Sequence, residues 1–309
     1  MKGRVEEIDW LRGITALWVL SYHANFIITS PKYFGAGTLG SLAEQGHHGV
    51  ELFFVISGFV MATKMPTSGP RLSNLKGFVL RRLCRIFPAY LAVFVPLAVV
   101  GLATGLGAPE TGTIAGNLGR NLLLLPRDDP TTYVPVVAWT LTHEMMFYGL
   151  VATAFIRPAL GVGLLAAWTL ACLAYWTLGG APGGWAMPLS PLNLFFVVGM
   201  VLARILPSIT LAKPPQIVRK ALSLLGQQSF SLYLVHYPVI IASAICLKWA
   251  GIGAWALLPV ALPLSLAVSR LLYAVVEQPG IALGHALSDY PVHAVVEHGH
   301  PIGATGRHG

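Results

Sequence analysis

Arg12 and His23 stand eleven residues apart in a run that reads as one helix. At 100° per residue that spacing returns them to nearly the same face, about 16 Å apart along the axis. A guanidinium stays protonated and can hold an anion, whereas an imidazole, titrating near neutrality, can take a proton from a hydroxyl. The plainer alternative is an arginine reaching for the interface and a histidine hydrogen-bonded within a bundle. Arg81, Arg82 and Arg85 form a second group, with Arg82 and Arg85 at i,i+3 and Arg81 and Arg85 at i,i+4, so each pair can share a helix face. Guanidiniums grouped in this way suit a polyphosphate, whose oxygens they bind bidentately. Anchoring against anionic lipid would use the same residues.

Two carboxylates and one further imidazole extend the set. Glu144 lies within Trp139-Thr140-Leu141-Thr142-His143-Glu144-Met145-Met146-Phe147-Tyr148, an otherwise apolar stretch, where it needs a partner: an imidazole to orient or an arginine to pair with. Glu51 begins another apolar run beside His47 and His48 and can equally be an interfacial carboxylate. His236 follows Ser229-Phe230-Ser231-Leu232-Tyr233-Leu234-Val235, just before Pro238, which is expected to bend the helix. Packing or support of a neighbouring group is the plainer role for it. Cys84, Cys172 and Cys246 lack CxxC spacing, so neither a disulfide framework nor a metal site is expected, and all three read as buried thiols.

The elements that must position these groups are membrane helices. Of 309 residues, 55% are apolar and only 10% charged, against about 25% charged in soluble domains. Mean hydropathy is +0.68. No Asp, Glu, Lys, Arg or His occurs between Pro158 and Ala203, a stretch broken only by the turn-like Gly179 to Gly184. That length makes two spans, since one helix needs roughly 20 residues to cross the hydrocarbon. Uncharged runs also cover Ile86–Pro109 and Trp249–Ser269. Helices are expected near 10–29, 49–65, 78–104, 138–156, 159–178, 188–206, 222–247 and 254–276. A short or re-entrant helix at 114–125 and a break within 221–247 would raise the total from eight to ten. The fold expected is therefore all-α, a polytopic transmembrane bundle over residues 1–280, followed by a disordered cytoplasmic tail at 281–309, rich in His and Gly.

The net charge of +8 gathers in connections between apolar runs rather than in a nucleic-acid-binding patch. Lys64, Arg71, Lys76 and Arg81 to Arg85 mark one cytoplasmic connection; Arg204, Lys213, Arg219 and Lys220 mark another. Lys2 and Arg4 then place the N-terminus inside, and an even helix count returns the C-terminus there. Thr29 to His48, the loop around Arg127-Asp128-Asp129 and the Gly-rich turn belong to the opposite face. The apolar core Ile14–Leu20 has no small-residue cleavage pattern after it and reads as a retained helix, not a signal peptide.

Six segments in order resemble the acyltransferase-3 family of integral membrane acyltransferases, which includes enzymes that acetylate bacterial exopolysaccharide and lipopolysaccharide and decorate Nod factors. They are Ile8-Asp9-Trp10-Leu11-Arg12-Gly13 with Tyr22-His23; Gly49 to Phe59; Arg81 to Tyr90; Trp139 to Tyr148; Ser229 to His236; and Tyr273 to Pro279. Trp10, Glu51 and Thr140 stand where the family usually has a small residue, Asp and Ser. The resemblance implies that Arg12 and His23 form the family's arginine-to-histidine motif, with His23 as catalytic base, and that Arg82 and Arg85 help bind the donor.

On that reading acyl-CoA, as acetyl-CoA, is a donor substrate rather than a tightly bound cofactor. It docks on Arg81, Arg82 and Arg85; Arg12 is a donor-binding or electrostatic group, and Glu144 or Glu51 orients the His23 ring. A covalent acyl-histidine is the alternative route. Glu51, Trp139, Tyr148, Tyr233 and His236 are expected to meet the substrate. The acceptor is expected to be a carbohydrate, an exopolysaccharide or its lipid-linked precursor, with a Nod-type oligosaccharide or a macrolide as other possibilities. The expected setting is a bacterial cytoplasmic membrane, with lipids, a second copy of the chain or synthesis-complex proteins as partners, no nucleic acid, and delivery by a separate protein. Two rivals use the same groups: a proton-coupled transporter of an anionic or sugar substrate, and a scaffold in a polysaccharide-synthesis complex.

Overall fold

The structure, a computed structural model, describes residues 2–65, 72–104, 114–127, 129–180, 186–206 and 215–289. Arg71, Asp128, Lys213, residues 181–184 of the Gly-rich turn and residues 290–309 of the expected tail lie outside them. Every extended element is helical: α1 Lys2–Thr29, α2 Ser41–Glu44, α3 Gly49–Ala62, α4 Leu72–Thr104, α5 Ile114–Leu122, α6 Trp139–Ile156, α7 Pro158–Thr177, α8 Leu194–Ile205, α9 Gln216–Gln227, α10 Ser229–Trp249, α11 Leu257–Leu272 and α12 Gln278–Asp289.

Four helical stretches are long and apolar enough to cross a membrane: 74–104, 158–177, 229–249 and 254–288. Helices α1 and α6 also have the length, 28 and 18 residues. They are diluted by the groups that make them interesting: Arg12, His23 and Asn25 on one, His143 and Glu144 on the other. Helix α10 is central, with 61% of its apolar window buried against 17% for α7. On α7 the buried residues Gly161, Leu165 and Cys172 form one stripe against α6, while Val162 and Leu170 on other faces are more than half exposed, as a lipid-facing helix requires.

Small residues set the close crossings. A Cβ on Gly58 would lie 1.9 Å from the Phe196 carbonyl oxygen, and one on Gly199 would lie 2.0 Å from that of Val55, so α3 and α8 meet backbone to backbone. That approach brings Phe54, Phe196 and Phe147 into a stack with both centroid separations at 4.4 Å, each pair adding about 0.5–1.5 kcal/mol. Gly226 of α9 sits equally close to the Asp9 carbonyl, locking α9 onto α1.

Two apolar cores result. One joins α3, α4, α6 and α8 around Phe54, Ile86, Tyr90 and Phe147; the other joins α1, α10 and α11 around Leu20, Ile27, Leu232 and Leu257. Val19, Val137 and Tyr233 form a small cluster of their own.

The break allowed within 221–247 is present, and other expectations meet corrections. The 221–247 region is a broken pair, α9 and α10, parted at Gln228, whose φ and ψ of −93° and 9° leave the helix. Helix α12 packs along α4 and carries the chain in helical form to Asp289, past the boundary at 280, because Gly280 and Gly284 allow it to lie against Cys84. It joins α11 through a π-helical turn, Tyr273–Glu277. Of the three cysteines only Cys172 is buried; Cys84 is half-buried and Cys246 is exposed on the outer side of α10.

Candidate active site

Helices α1, α3, α4, α6 and α10 line a cavity with about 80 Å³ of space open to water-sized groups. Arg12 enters it from α1, Ser57 from α3, Arg82 and Arg85 from α4, Glu144 and Tyr148 from α6, and Ser229 and Tyr233 from α10. A second, roomier cavity, with about 590 Å³ of space open to water-sized groups, lies against the first turns of α4, with Lys64, Arg81 and His285 in its wall. Arg82 and Arg85 line both cavities, so guanidinium groups stand where the two adjoin. Arg81 lines the second alone, and its Nη1 donates to Ser288 Oγ on α12 at 2.8 Å.

Within the first cavity the charges are interlocked. The Arg82 guanidinium lies over the Tyr148 ring at 5.1 Å and the Phe78 ring at 5.9 Å, which fixes a cation that lacks a carboxylate salt bridge among the described residues. Tyr148 donates its hydroxyl to Glu144 Oε1, which also accepts from Ser57 Oγ at 3.1 Å. Arg12 feels the charges of Arg85, Glu144, Asp9 and Glu277. Glu277 is completely buried at the end of the π turn and accepts from the Ser231 backbone N–H at 3.2 Å and Ser231 Oγ at 2.6 Å. Three guanidiniums and one carboxylate, Glu144, line the cavity, so an entering polyanion would meet excess positive charge.

His23 is not among the residues lining either cavity. Its Nδ1 lies 3.0 Å from His236 Nε2 and 3.1 Å from the Val19 carbonyl oxygen, while Tyr22 and Tyr237 meet its ring edge to face at 5.1 and 5.0 Å. Tyr233 separates this pair from the cavity. Its ring lies 5.6 Å from that of His236 and 5.6 Å from that of Phe53, and its hydroxyl shares a 2.9 Å hydrogen bond with Thr140 Oγ and lies 3.2 Å from the Val137 carbonyl oxygen. The chain therefore places the arginines on one side of a Tyr233–Thr140 layer and the histidine pair on the other.

This geometry gives Glu144, Glu51 and Trp139 partners other than those the sequence suggested. Neither Glu144 nor Glu51 is hydrogen-bonded to His23: Glu144 serves the arginine cavity, and Glu51 Oε2 pairs with His48 Nδ1 at 3.1 Å on an exposed rim. Trp139 does not line the cavity but packs edge to face on buried His143, whose Nδ1 meets Asn193 Oδ1 at 2.7 Å. Tyr148 and Tyr233 do line it. Ser57 and Glu277 were not singled out by sequence reasoning, and Thr140 only as a position where the resemblance leads one to expect Ser. Glu277 offered a signal, a lone carboxylate ending an apolar run; Ser57 offered none.

The model of the acyltransferase-3 family, described as an acyltransferase domain, matches residues 5–217, which include Arg12, His23, Arg82, Arg85 and Glu144 but not Tyr233, His236 or Glu277. Over 156 residues the chain is 29% identical to protein 2 in the picA locus of Rhizobium radiobacter, covering 45% of this chain and 76% of that one. Over 128 residues it is 33% identical to the exopolysaccharide production protein ExoZ of Rhizobium meliloti, covering 37% of this chain and 38% of ExoZ. Over 108 residues it is 32% identical to the peptidoglycan O-acetyltransferase OatA of Listeria monocytogenes, covering 34% of this chain and 15% of OatA. No solved structure matches the chain.

Proposed function

Since this chain belongs to the acyltransferase-3 family, we propose that it transfers an acetyl group from acetyl-CoA to a hydroxyl of a carbohydrate, an exopolysaccharide or its lipid-linked precursor. One observation carries the reading: Arg12, Arg82 and Arg85, from two helices, converge with Glu144 on a single cavity inside an apolar bundle. Burying three guanidiniums is unfavourable unless an anion completes the site. A coenzyme with several phosphates supplies that anion, and family membership replaces the transporter reading with group transfer.

The phosphates pair with Arg82 and Arg85, and the carrier arm runs past Arg12 towards the Thr140–Tyr233 layer. Little room remains before that layer, which favours a short acyl group. Tyr233 moves aside to let the thioester reach His23. The acceptor hydroxyl enters from the end of α1 that carries Tyr22, near His47 and Glu51. His23 removes its proton as the oxygen attacks the thioester carbonyl. The ester C–O bond forms, the C–S bond breaks, and the departing thiolate takes up the proton that His23 removed, which regenerates the neutral base. Arg12 helps to hold the donor rather than acting as a base, since a guanidinium, already protonated at neutral pH, has no lone pair to take a proton. The basic residues near the start of α4 support a reading in which this arginine end, and both termini, face the cytoplasm, where acyl-CoA is made. A bacterial cytoplasmic membrane fits that arrangement.

Mass spectrometry of cell-surface glycans from strains with and without the gene tests the reading. Deletion is expected to remove an acetyl mass from one glycan, restored by the wild-type gene and not by His23→Ala. An unchanged acyl pattern on every surface glycan would refute it.

A further inference from the structure

The hydrogen bonds around His236 decide which nitrogen of His23 carries its proton. His236 is 1% exposed, and its Nδ1 lies 2.8 Å from the Tyr233 carbonyl oxygen and 3.2 Å from that of Leu232. Carbonyl oxygens only accept, so Nδ1 of His236 must hold the hydrogen and donate to them. The opposite tautomer would set a ring lone pair against two oxygen lone pairs in a buried site. In the neutral ring, Nε2 of His236 is then an acceptor. It faces Nδ1 of His23 at 3.0 Å, and that same Nδ1 faces the Val19 carbonyl oxygen at 3.1 Å. Both neighbours of His23 Nδ1 are acceptors, so Nδ1 carries the hydrogen and shares it between them. Nε2 of His23 is left as a bare lone pair with no hydrogen-bond partner among the described residues.

We propose that His236 is a positioning residue: it passes the polarity of the α10 backbone through its ring to His23, holding the tautomer in which Nε2 is free to accept the acceptor's proton. This rests on His23 being the base, as proposed above. It also assigns the acceptor hydroxyl a direction of approach, the ring edge remote from His236. When His23 becomes protonated, its Nδ1–H still points at His236 Nε2, so the imidazolium keeps its acceptor. A carboxylate is not required in this place. A chain of backbone carbonyl, imidazole and imidazole does the orienting work that a buried Asp does in other histidine-dependent sites.

The test compares His236→Leu, His236→Gln and His23→Ala as purified full-length proteins in lipid nanodiscs, matched for elution and thermal melting. Gln places an amide oxygen near the position of Nε2 and can accept from His23; Leu fills the space and cannot. His236→Leu is expected to lose about 10- to 100-fold in kcat, the scale of losing a hydrogen-bond partner that orients a metal-bound histidine, with the KM for acyl donor unchanged. His236→Gln is expected to recover most of that loss. Equal impairment in Leu and Gln variants, or wild-type kcat in both while His23→Ala is inactive, would overturn the positioning role and leave the base assignment standing. Wild-type activity in His23→Ala would overturn the base assignment and this inference with it. Should the Leu variant fail to fold, nitrogen NMR of histidine-labelled wild-type protein decides: a protonated Nδ1 and bare Nε2 on His23 are expected, and the reverse would refute the proposal.

Discussion

Arg82→Gln is the sharpest perturbation of the donor site. Arg82 lines both cavities and is held against the faces of Tyr148 and Phe78, so its guanidinium is aimed before any ligand arrives. A charge-assisted hydrogen bond contributes about 1.5–3 kcal/mol. At about 1.4 kcal/mol per tenfold, losing it should raise the KM for acetyl-CoA by about 10- to 150-fold. Arg85→Gln should fall in the same range, since Arg85 lines the same two cavities. Arg81→Gln should change KM by no more than about threefold, the scale of an exposed charge, because Arg81 is engaged with Ser288 and lines only the outer cavity. Arg82→Lys should not rescue Arg82→Gln fully, as an ammonium cannot both stack between two rings and bind phosphate in a fork. The assay is initial rate against donor concentration, run in parallel with an acetyl thioester of pantetheine, which lacks the nucleotide and its phosphates. With that truncated donor, wild type and the Arg82 and Arg85 variants should coincide. Unchanged KM for acetyl-CoA, or equal weakening of both donors, would refute the phosphate assignment.

Four further outcomes follow from packing and charge. Glu144→Gln removes the carboxylate that Ser57 and Tyr148 hold among the arginines; the unliganded protein should melt at lower temperature, and saturating acetyl-CoA should raise its melting point by more than it raises that of wild type. Gly58→Val should prevent accumulation of folded protein, because even a Cβ there would lie 1.9 Å from the Phe196 carbonyl oxygen. Gly149→Ala on α6, where a Cβ would have no neighbour within 4 Å, should be neutral or more stable by up to about 1 kcal/mol, measured by thermal melting in the same detergent. Tyr148→Phe keeps the ring under Arg82 and removes only the bond to Glu144, so donor KM should rise by less than in Arg82→Gln.

The arginine cavity was legible in the sequence because of its energetics. Charged residues in apolar spans must converge on something, and the i,i+3 spacing of Arg82 and Arg85 already put both on one face. The helical class was legible for the same reason, and the break at Gln228 was among the alternatives that the 221–247 run allowed. The company of His23 was not legible. Its partner lies 213 positions away on α10, and nothing local to either histidine specifies that α1 and α10 pack together. Glu144 looked like a ring-orienting carboxylate because sequence shows only that a buried charge needs a partner; Ser57 and Tyr148 supply it instead. Helix α12 was hidden by its composition: its Gly and His residues look like tail, and only the groove along α4 that accepts Gly280 and Gly284 makes it helical.

Transfer of label is the most direct test of the central claim. Purified protein in sealed liposomes would receive acetyl-labelled acetyl-CoA and a lipid-linked oligosaccharide extracted from the producing strain. The expected result is hydroxylamine-labile label on the oligosaccharide with wild type and none above background with His23→Ala. Label that never leaves the coenzyme for the carbohydrate, or that arrives equally with His23→Ala, would contradict it.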